Sequence, residues 1–233
     1  MGQLDELPGA VLWRSHAVAP VESRVLPDGC IDVIWSSRDG LFVAGPDTVA
    51  QLATMEAGES MVGLRLPPGV GPAVLGVAAR ELTDRRVDLD TLWPARLVRE
   101  LTERAGTGDA GAVLHAAAAG RLDARGGPDR DATAITALVS AGRTVADTAE
   151  AIGLSERHLL RRCADLFGYG PKTLGRILRL HRALALLDRG LPAAEAAATA
   201  GYADQPHLSR EVRALAGVPL GVLRTPPAPV PVG

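Results

Sequence analysis

Two segments in the C-terminal half of the chain combine arginine with other side chains that can pair with DNA bases. Arg157 and Arg161 stand four residues apart in the first segment, while Gln205 and Arg210 occupy the second. A guanidinium can donate two hydrogen bonds to guanine O6 and N7, and a glutamine amide can pair with adenine. Residues four apart share one face of a helix. The chemistry that these segments allow is therefore recognition of base edges in duplex DNA.

These segments belong to a repeat with an offset of 49 residues. Each copy predicts a short Ala-rich helix, a glycine turn, an N-cap and a longer polar helix, which is the order of a helix-turn-helix unit. The short helices are predicted at Val145–Ile152 and Ala193–Ala200, and the longer ones at Ser155–Phe167 and Asp204–Leu215. The offset aligns Ser155 with Asp204, His158-Leu159 with His207-Leu208, Arg161 with Arg210 and Gly168 with Gly217. A duplicated unit of this kind predicts two recognition helices in one chain.

Between the copies, apolar residues recur at helical spacing over Pro171–Asp188. A helix of this length is a rod of roughly 25 Å. Such a rod could hold two recognition helices near one DNA turn apart, ~34 Å. We expect His181 on the surface of this rod.

Charge divides the chain into two different halves. Residues 1–131 contain 13 Arg and 19 acidic residues, a net charge of −6, whereas residues 132–233 carry +4. This asymmetry predicts two domains with different partners. No apolar run reaches the ~20 residues of a membrane span, and no signal peptide is visible, so we expect a cytoplasmic protein. Two cysteines are too few for a disulfide framework.

The predicted fold class is α+β. A β-barrel or cupin-like domain with following helices spans 1–124, a linker 125–131, an all-α domain with two helix-turn-helix units 132–224, and a disordered tail 225–233. Short Val-, Ile- and Trp-rich segments separated by Pro and Gly turns predict the strands. These segments are Ala10–Val18, Ser23–Leu26, Cys30–Ser36, Leu41–Ala44, Thr48–Met55 and Ser60–Leu66. Helices follow from Asp90 to Ala105 and over Asp109–Ala124.

Three motifs, Val145–Ser155, Arg161–Lys172 and Ala200–Arg210, resemble the DNA-binding domain of AraC/XylS-type transcriptional regulators. The resemblance covers about residues 133–224 and implies seven helices. Smaller residues stand where the family usually has Phe, at Cys163, Leu208 and Val212. Pro219 comes one place early in the closing turn. The DNA-binding residues thus expected are Ser155, Arg157, Leu160, Arg161, Arg162, Lys172, Gln205, Pro206, Ser209 and Arg210.

The segments Leu26–Trp35 and Val62–Gly69 are similar to the N-terminal β domain of a subgroup of bacterial AraC-type regulators. The resemblance to AraC/XylS-type regulators implies a second domain for effector binding or dimerisation. A cupin-like barrel would offer a small apolar molecule an interior. The candidate ligand-binding residues are Trp13, Trp35, Phe42, Met55 and Met61, for which plain core packing is the alternative. The helices over Trp93–Ala124 could form a dimer interface or pack on their own barrel.

The sequence therefore predicts a sequence-specific DNA-binding regulator with a small-molecule effector or partner at its N-terminal domain. Its expected partners are double-stranded DNA, an effector, a second copy and, for an activator, RNA polymerase. We expect no catalysis, cofactor, metal or membrane. One alternative is alkyl transfer or redox sensing at Cys30, with Arg24 or Arg65 stabilising the thiolate. Another is a protein-interaction module that no longer binds DNA.

Overall fold

The computed structural model describes residues 7–223, and its N-terminal part contains two antiparallel sheets. Five strands pair in the order β1-β6-β3-β4-β7, while β2 and β5 form a separate ribbon, so the strands do not close into one barrel. The mixed α+β class is confirmed. The strands are β1 (Val11–His16), β2 (Val21–Val25), β3 (Ile31–Ser36), β4 (Gly40–Ala44), β5 (Gln51–Met55), β6 (Ser60–Leu66) and β7 (Arg86–Asp88).

Three helices, α1 (Gly71–Leu75), α2 (Ala95–Thr107) and α3 (Ala110–Asp123), join one face of the large sheet in a common core. Alternate residues of a strand point to opposite faces, which brings Val33 and Leu64 into this core. Leu101 of α2 and Leu114 of α3 are buried in the same cluster. The sequence left two roles open for α2 and α3, a dimer interface or packing on their own domain. Their buried faces pack on their own domain.

A smaller cluster lies on the other face of the sheet. Ile34, Phe42 and Met61 are buried there, with Trp13 and Met55 packed against them. Trp35 does not join this cluster, because it follows Ile34 and so points to the opposite face, where it packs against the main core. The structure therefore places Trp35 apart from the other four predicted ligand-binding residues.

The C-terminal part consists of seven helices within the described residues, the number that the resemblance implied. They are α4 (Arg130–Ser140), α5 (Val145–Ala151), α6 (Glu156–Phe167), α7 (Pro171–Asp188), α8 (Ala193–Ala200), α9 (Gln205–Ala216) and α10 (Leu220–Leu223). The rod α7 has the predicted bounds. Helix α4 begins inside the predicted linker 125–131, because the Asp129 side chain caps its first turn. The predicted tail 225–233 lies outside the described residues.

The N-terminal part contacts the carboxyl ends of α6 and α9, the longer helices of the two helix-turn-helix units. We call this surface the domain junction. Thr83 Oγ1 donates a hydrogen bond of 3.0 Å to the carbonyl oxygen of Gly168, directly after α6. Arg24 Nη1 donates one of 3.0 Å to the carbonyl oxygen of Ala216, at the end of α9. The Ala50 N–H donates to the carbonyl oxygen of Leu215 at 2.7 Å.

Two further contacts complete the domain junction. Arg80 forms an ion pair with Asp165 of α6. His181 Nε2 donates to the carbonyl oxygen of Pro27 at 2.7 Å, so the expectation that His181 is a surface residue of the rod is wrong. The domain junction therefore reaches α6, α7 and α9 together. No helix among residues 7–223 is long and apolar enough to cross a membrane.

Candidate nucleic-acid interface

The first helix-turn-helix unit consists of α5, a short turn and α6. Thr144 and Asp147 form a capping box that begins α5, and Gly153 turns the chain with a φ of +71°. Ser155 Oγ then accepts the His158 N–H at 3.3 Å and begins α6. Leu159 and Cys163 are fully buried, which fixes the inner face of α6. The opposite face of α6 is left open to solvent.

That open face holds four of the predicted DNA-binding residues, Ser155, Arg157, Leu160 and Arg161, all exposed. Leu160 is 48% exposed, which is unusual for a leucine that has no partner surface. Arg162 is different, since its guanidinium forms ion pairs with Asp129 and Asp131. Partial burial opposes the charged form, but the hydrogen bonds to Asp131 and Asp129 raise the pKa of Arg162. In this structure Arg162 attaches α4, and its contact with DNA stays a prediction.

The second unit repeats this construction with α8 and α9. Gly201 ends α8 with a φ of +89°, and Asp204 Oδ1 accepts the His207 N–H at 2.6 Å as the cap of α9. Leu208 and Val212 are fully buried on the inner face. The His207 ring lies edge-on to Tyr202, with ring centroids 5.2 Å apart. His207 thus packs within its own unit.

The outer face of α9 presents the remaining predicted residues. Gln205, Pro206 and Arg210 are exposed, and Ser209 is half-buried. Gln205, Ser209 and Arg210 also line a surface groove of about 710 Å³ that continues to Pro219. Among the ion pairs of the described residues, none involves Arg210, so its guanidinium is available for a ligand.

A basic groove of about 700 Å³ separates the two units and was missed by the sequence analysis. It extends from Thr144 at the first unit to Gly201 at the second. Its cationic lining is Arg143, Lys172, Arg176, Arg179 and Arg182. The signal was present in the sequence, because Arg176, Arg179 and Arg182 recur at three-residue spacing on one helix face.

Some of these cations are already engaged. Arg176 Nε donates to Glu211 Oε1 at 2.6 Å, and Arg182 Nη2 donates to the carbonyl oxygen of Ser140 at 2.5 Å. Arg179 lies over the Tyr202 ring. Lys172 is exposed near the start of α7. The lining contains five cationic side chains and no acidic one, and Glu211, which pairs with Arg176, lies outside it.

In the N-terminal part, the smaller apolar cluster is the candidate ligand site. Trp13 Nε1 donates to Asp32 Oδ1 at 3.0 Å, and Arg65 forms ion pairs with Asp32 and Asp28. The Arg86 guanidinium lies 3.5 Å from the centroid of the Phe42 ring. The cluster is therefore apolar at its centre and bordered by charged groups that have partners.

Cys30 lacks the surroundings of a reactive thiol. Burial, and next the charge of Asp28, raise the pKa of the Cys30 thiol, so less thiolate exists at neutral pH. Of the two arginines expected to stabilise a thiolate, Arg65 is paired with carboxylates and Arg24 is bonded to Ala216. Among residues 7–223, no group of three or more His, Cys, Asp or Glu side chains is placed to hold a metal ion.

We expect iodoacetamide at pH 7.4 to modify Cys30 in the folded chain at least about tenfold more slowly than in the urea-unfolded chain, because the thiolate is the nucleophile. Mass spectrometry of tryptic peptides over time measures both rates, with glutathione as a reference thiol. Equal rates in the two states would favour the alkyl-transfer alternative.

Comparisons with known proteins match both parts of the chain. A family model described as a helix-turn-helix domain matches residues 148–225, and one described as a domain of unknown function (DUF6597) matches residues 10–88. No curated protein matches the chain significantly.

Several solved structures are similar to this chain at low sequence identity. ToxT from Vibrio cholerae O395 is 12% identical with a TM-score of 0.46, and the match covers 92% of this chain and 95% of that chain. A probable AraC family transcriptional regulator from Rhodopseudomonas palustris CGA009 is 22% identical with a TM-score of 0.34, over 39% of this chain and 91% of that one. The C-terminal domain of AraT, a response regulator from Geobacillus stearothermophilus, is 21% identical with a TM-score of 0.35, over 44% and 88%.

Two helix-turn-helix units with exposed polar faces, together with the match to a helix-turn-helix family model over residues 148–225, define a domain of the helix-turn-helix class, whose members commonly bind DNA. The helix-turn-helix domain is thus preceded by a domain that matches the DUF6597 model, and each of the two models covers about a third of the chain.

Proposed function

We propose that this chain reads a specific DNA sequence with α6 and α9, and that its N-terminal part controls this reading in response to a small-molecule effector or a partner. The observation that carries the proposal is the presence of two matched helix-turn-helix units whose outer faces are exposed. A single unit with arginines would be equally consistent with a solvated surface. Two units with equivalent caps, turns and arginines favour recognition of DNA.

Each outer face offers a different set of contacts. Arg157 and Arg161 of α6 and Arg210 of α9 are suited to guanine, and Gln205 is suited to adenine. Leu160 and Pro206 have no side-chain donor, and they suit the methyl group of thymine.

Phosphate contacts would come from Ser155, from Lys172 and from the N-terminal N–H groups of α6 and α9. The basic groove between the units would meet the backbone of the intervening duplex. Its arginines act through charge and carry no sequence information.

The domain junction supports control by the N-terminal part. Thr83 bonds to the end of α6, whereas Arg24 and Ala50 bond to the end of α9. A ligand that displaces the N-terminal part would alter both ends and therefore the relative orientation of the two recognition helices. The coupling needs a different affinity of the ligand for the two arrangements.

The effector site would be the smaller apolar cluster, formed by Trp13, Phe42, Met55 and Met61. Val21 pairs with Met55 in register and so shares its face of the ribbon, yet it remains 43% exposed. Apolar surface is therefore accessible next to the cluster, which suits a small apolar molecule.

Further parts of the proposal concern the setting of the protein. It would act in the cytoplasm, associated with the nucleoid when bound to DNA, as a regulator rather than an enzyme. A second copy of the chain is a further proposed partner, as is RNA polymerase if the protein activates transcription.

Selection of random duplexes by the full chain tests the proposal. We expect an enriched motif with two parts about 10 bp apart, because the two units would enter successive major grooves. Hydroxyl-radical footprinting of that motif should show two protected segments on one face of the duplex. The affinity should fall linearly with salt on logarithmic axes. No enriched motif at moderate salt would contradict the proposal and favour a protein-interaction module.

A further inference from the structure

A groove of about 260 Å³ runs between α2 and α3 on the N-terminal part, away from both helix-turn-helix units. Its buried lining is apolar and comprises Trp93, Leu101 and Val113. Leu97 and Ala117 are half-buried beside them. The groove therefore has the apolar base that binding sites for small molecules commonly have.

One donor in this lining has no acceptor. Trp93 is 3% exposed, and its Nε1–H has no hydrogen-bond partner. A buried donor without a partner costs roughly 1–3 kcal/mol, so buried indole N–H groups usually have one. By contrast, the indole of Trp13 donates to Asp32. The Nε1 atom itself is closed to solvent, so a ligand that shifts the neighbouring Arg121 guanidinium would change the surroundings of this N–H.

Two cations border the same groove without a carboxylate partner. Arg104 and Arg121 line it, and neither forms an ion pair within residues 7–223. The Arg121 guanidinium lies 4.4 Å from the centroid of the Trp93 ring, and its Nε donates to the carbonyl oxygen of Val74 at 2.8 Å. Burial, and next the charge of Arg125, lower the pKa of Arg121, as expected of a cation that lacks an anion.

We propose that the groove between α2 and α3 binds a small carboxylate that carries an apolar ring or a short apolar chain. The carboxylate would accept hydrogen bonds from Arg121, which lies over the Trp93 ring, and Arg104 would add a second charge at the rim. The apolar part of the ligand would cover Leu97, Leu101 and Val113. The volume is below the usual range for drug-sized ligands, which restricts the site to smaller molecules.

This site is independent of the DNA-binding proposal and of the apolar cluster on the other face of the sheet. It uses no residue of either, so binding can be measured on the full chain without DNA. A second copy of the chain seated on the groove is the rival occupant, and the experiment separates the two.

Titration of the ¹⁵N-labelled full chain with 4-phenylbutyrate tests the proposal, since each of the three tryptophans gives one indole N–H signal. We expect the Trp93 signal to shift and saturate while the Trp13 signal stays in place. Two control compounds should each bind at least about tenfold more weakly than 4-phenylbutyrate. The uncharged 4-phenylbutyramide loses the charge-assisted hydrogen bond, and inorganic phosphate loses the apolar contact.

Three variants make the result specific. Arg104→Gln and Arg121→Gln should each weaken 4-phenylbutyrate binding, by about tenfold for Arg121 because it gives up a charged hydrogen bond. Gly120→Leu should abolish binding without loss of stability. Gly120 lines the groove, a Cβ there would meet no atom within 4 Å, and leucine is the better helix former. Retained thermal unfolding of Gly120→Leu shows that the loss of binding does not reflect misfolding.

Several results would overturn the proposal. If 4-phenylbutyramide binds as tightly as 4-phenylbutyrate, the groove does not recognise a carboxylate. If both arginine variants keep the affinity of the unaltered chain, Arg104 and Arg121 do not contact the ligand. A Trp93 signal that shifts with protein concentration alone, together with a dimer in sedimentation velocity, would assign the groove to a second copy of the chain.

Discussion

Replacing Arg210 by alanine is expected to weaken binding to the selected DNA motif by about 1–3 kcal/mol, roughly five- to 150-fold. Arg210 lies on the exposed face of α9 and lines the groove that Gln205 and Ser209 share. Its guanidinium forms no ion pair within residues 7–223, so it keeps both donors for a guanine edge. Fluorescence anisotropy at fixed salt measures the change, and the preference for guanine at one position should relax.

Arg99→Ala provides the matched control for this experiment. Arg99 is an exposed arginine of α2, and its loss changes the net charge by the same amount. We expect its affinity for DNA to change less than twofold. If Arg210→Ala behaves like Arg99→Ala, then Arg210 contacts neither a base nor a phosphate, and α9 loses its assignment as a recognition helix.

Replacing Gly168 by alanine should lower the free energy of unfolding by about 2–5 kcal/mol. Gly168 has a φ of +84°, a region that costs an L-residue roughly 1–2 kcal/mol. A Cβ at this position would also lie 2.4 Å from Thr83 Oγ1 and 2.7 Å from Pro46 Cγ. This overpacking at the domain junction adds a further cost of about 1–3 kcal/mol. Urea unfolding followed by circular dichroism measures the sum.

Gly153→Ala separates the two costs. Gly153 also has a positive φ, +71°, but a Cβ there meets no atom within 4 Å. It should therefore show the backbone cost alone, about 1–2 kcal/mol. In the double variant, Thr83→Ala removes the Oγ1 atom that the new Cβ would meet. This should restore part of the free energy of unfolding that Gly168→Ala loses. Equal losses in the two glycine variants would mean that Thr83 and Pro46 do not hold the end of α6 closely.

The helices of the C-terminal part could be predicted from the sequence, because helix caps, glycine turns and apolar spacing each depend on only a few neighbouring residues. Pro171 at the first position and a continuous apolar stripe define α7, and Ser155 and Asp204 begin the recognition helices as caps. The 49-residue offset then extended each local prediction to a second copy. These features do not depend on which other part of the chain lies nearby.

Contacts between distant residues could not be predicted from the sequence. Arg162 was expected on DNA, but Asp129 and Asp131 lie 33 and 31 residues earlier and pair with it. His181 bonds to Pro27, 154 residues away, and nothing near His181 in the sequence indicates this. Trp35 was grouped by residue type, whereas the alternation of β3 decides its face. The strand β7, with three residues, gives too short a pattern to detect.

The domain junction holds both recognition helices at their carboxyl ends, whereas the expected base contacts lie toward their amino ends. Each helix has 12 residues and so forms a lever about 18 Å long. A tilt of about 3° at the fixed end would carry the far end through roughly 1 Å, enough to disturb a bidentate hydrogen bond. Small displacements of the N-terminal part would thus be magnified where the chain meets DNA.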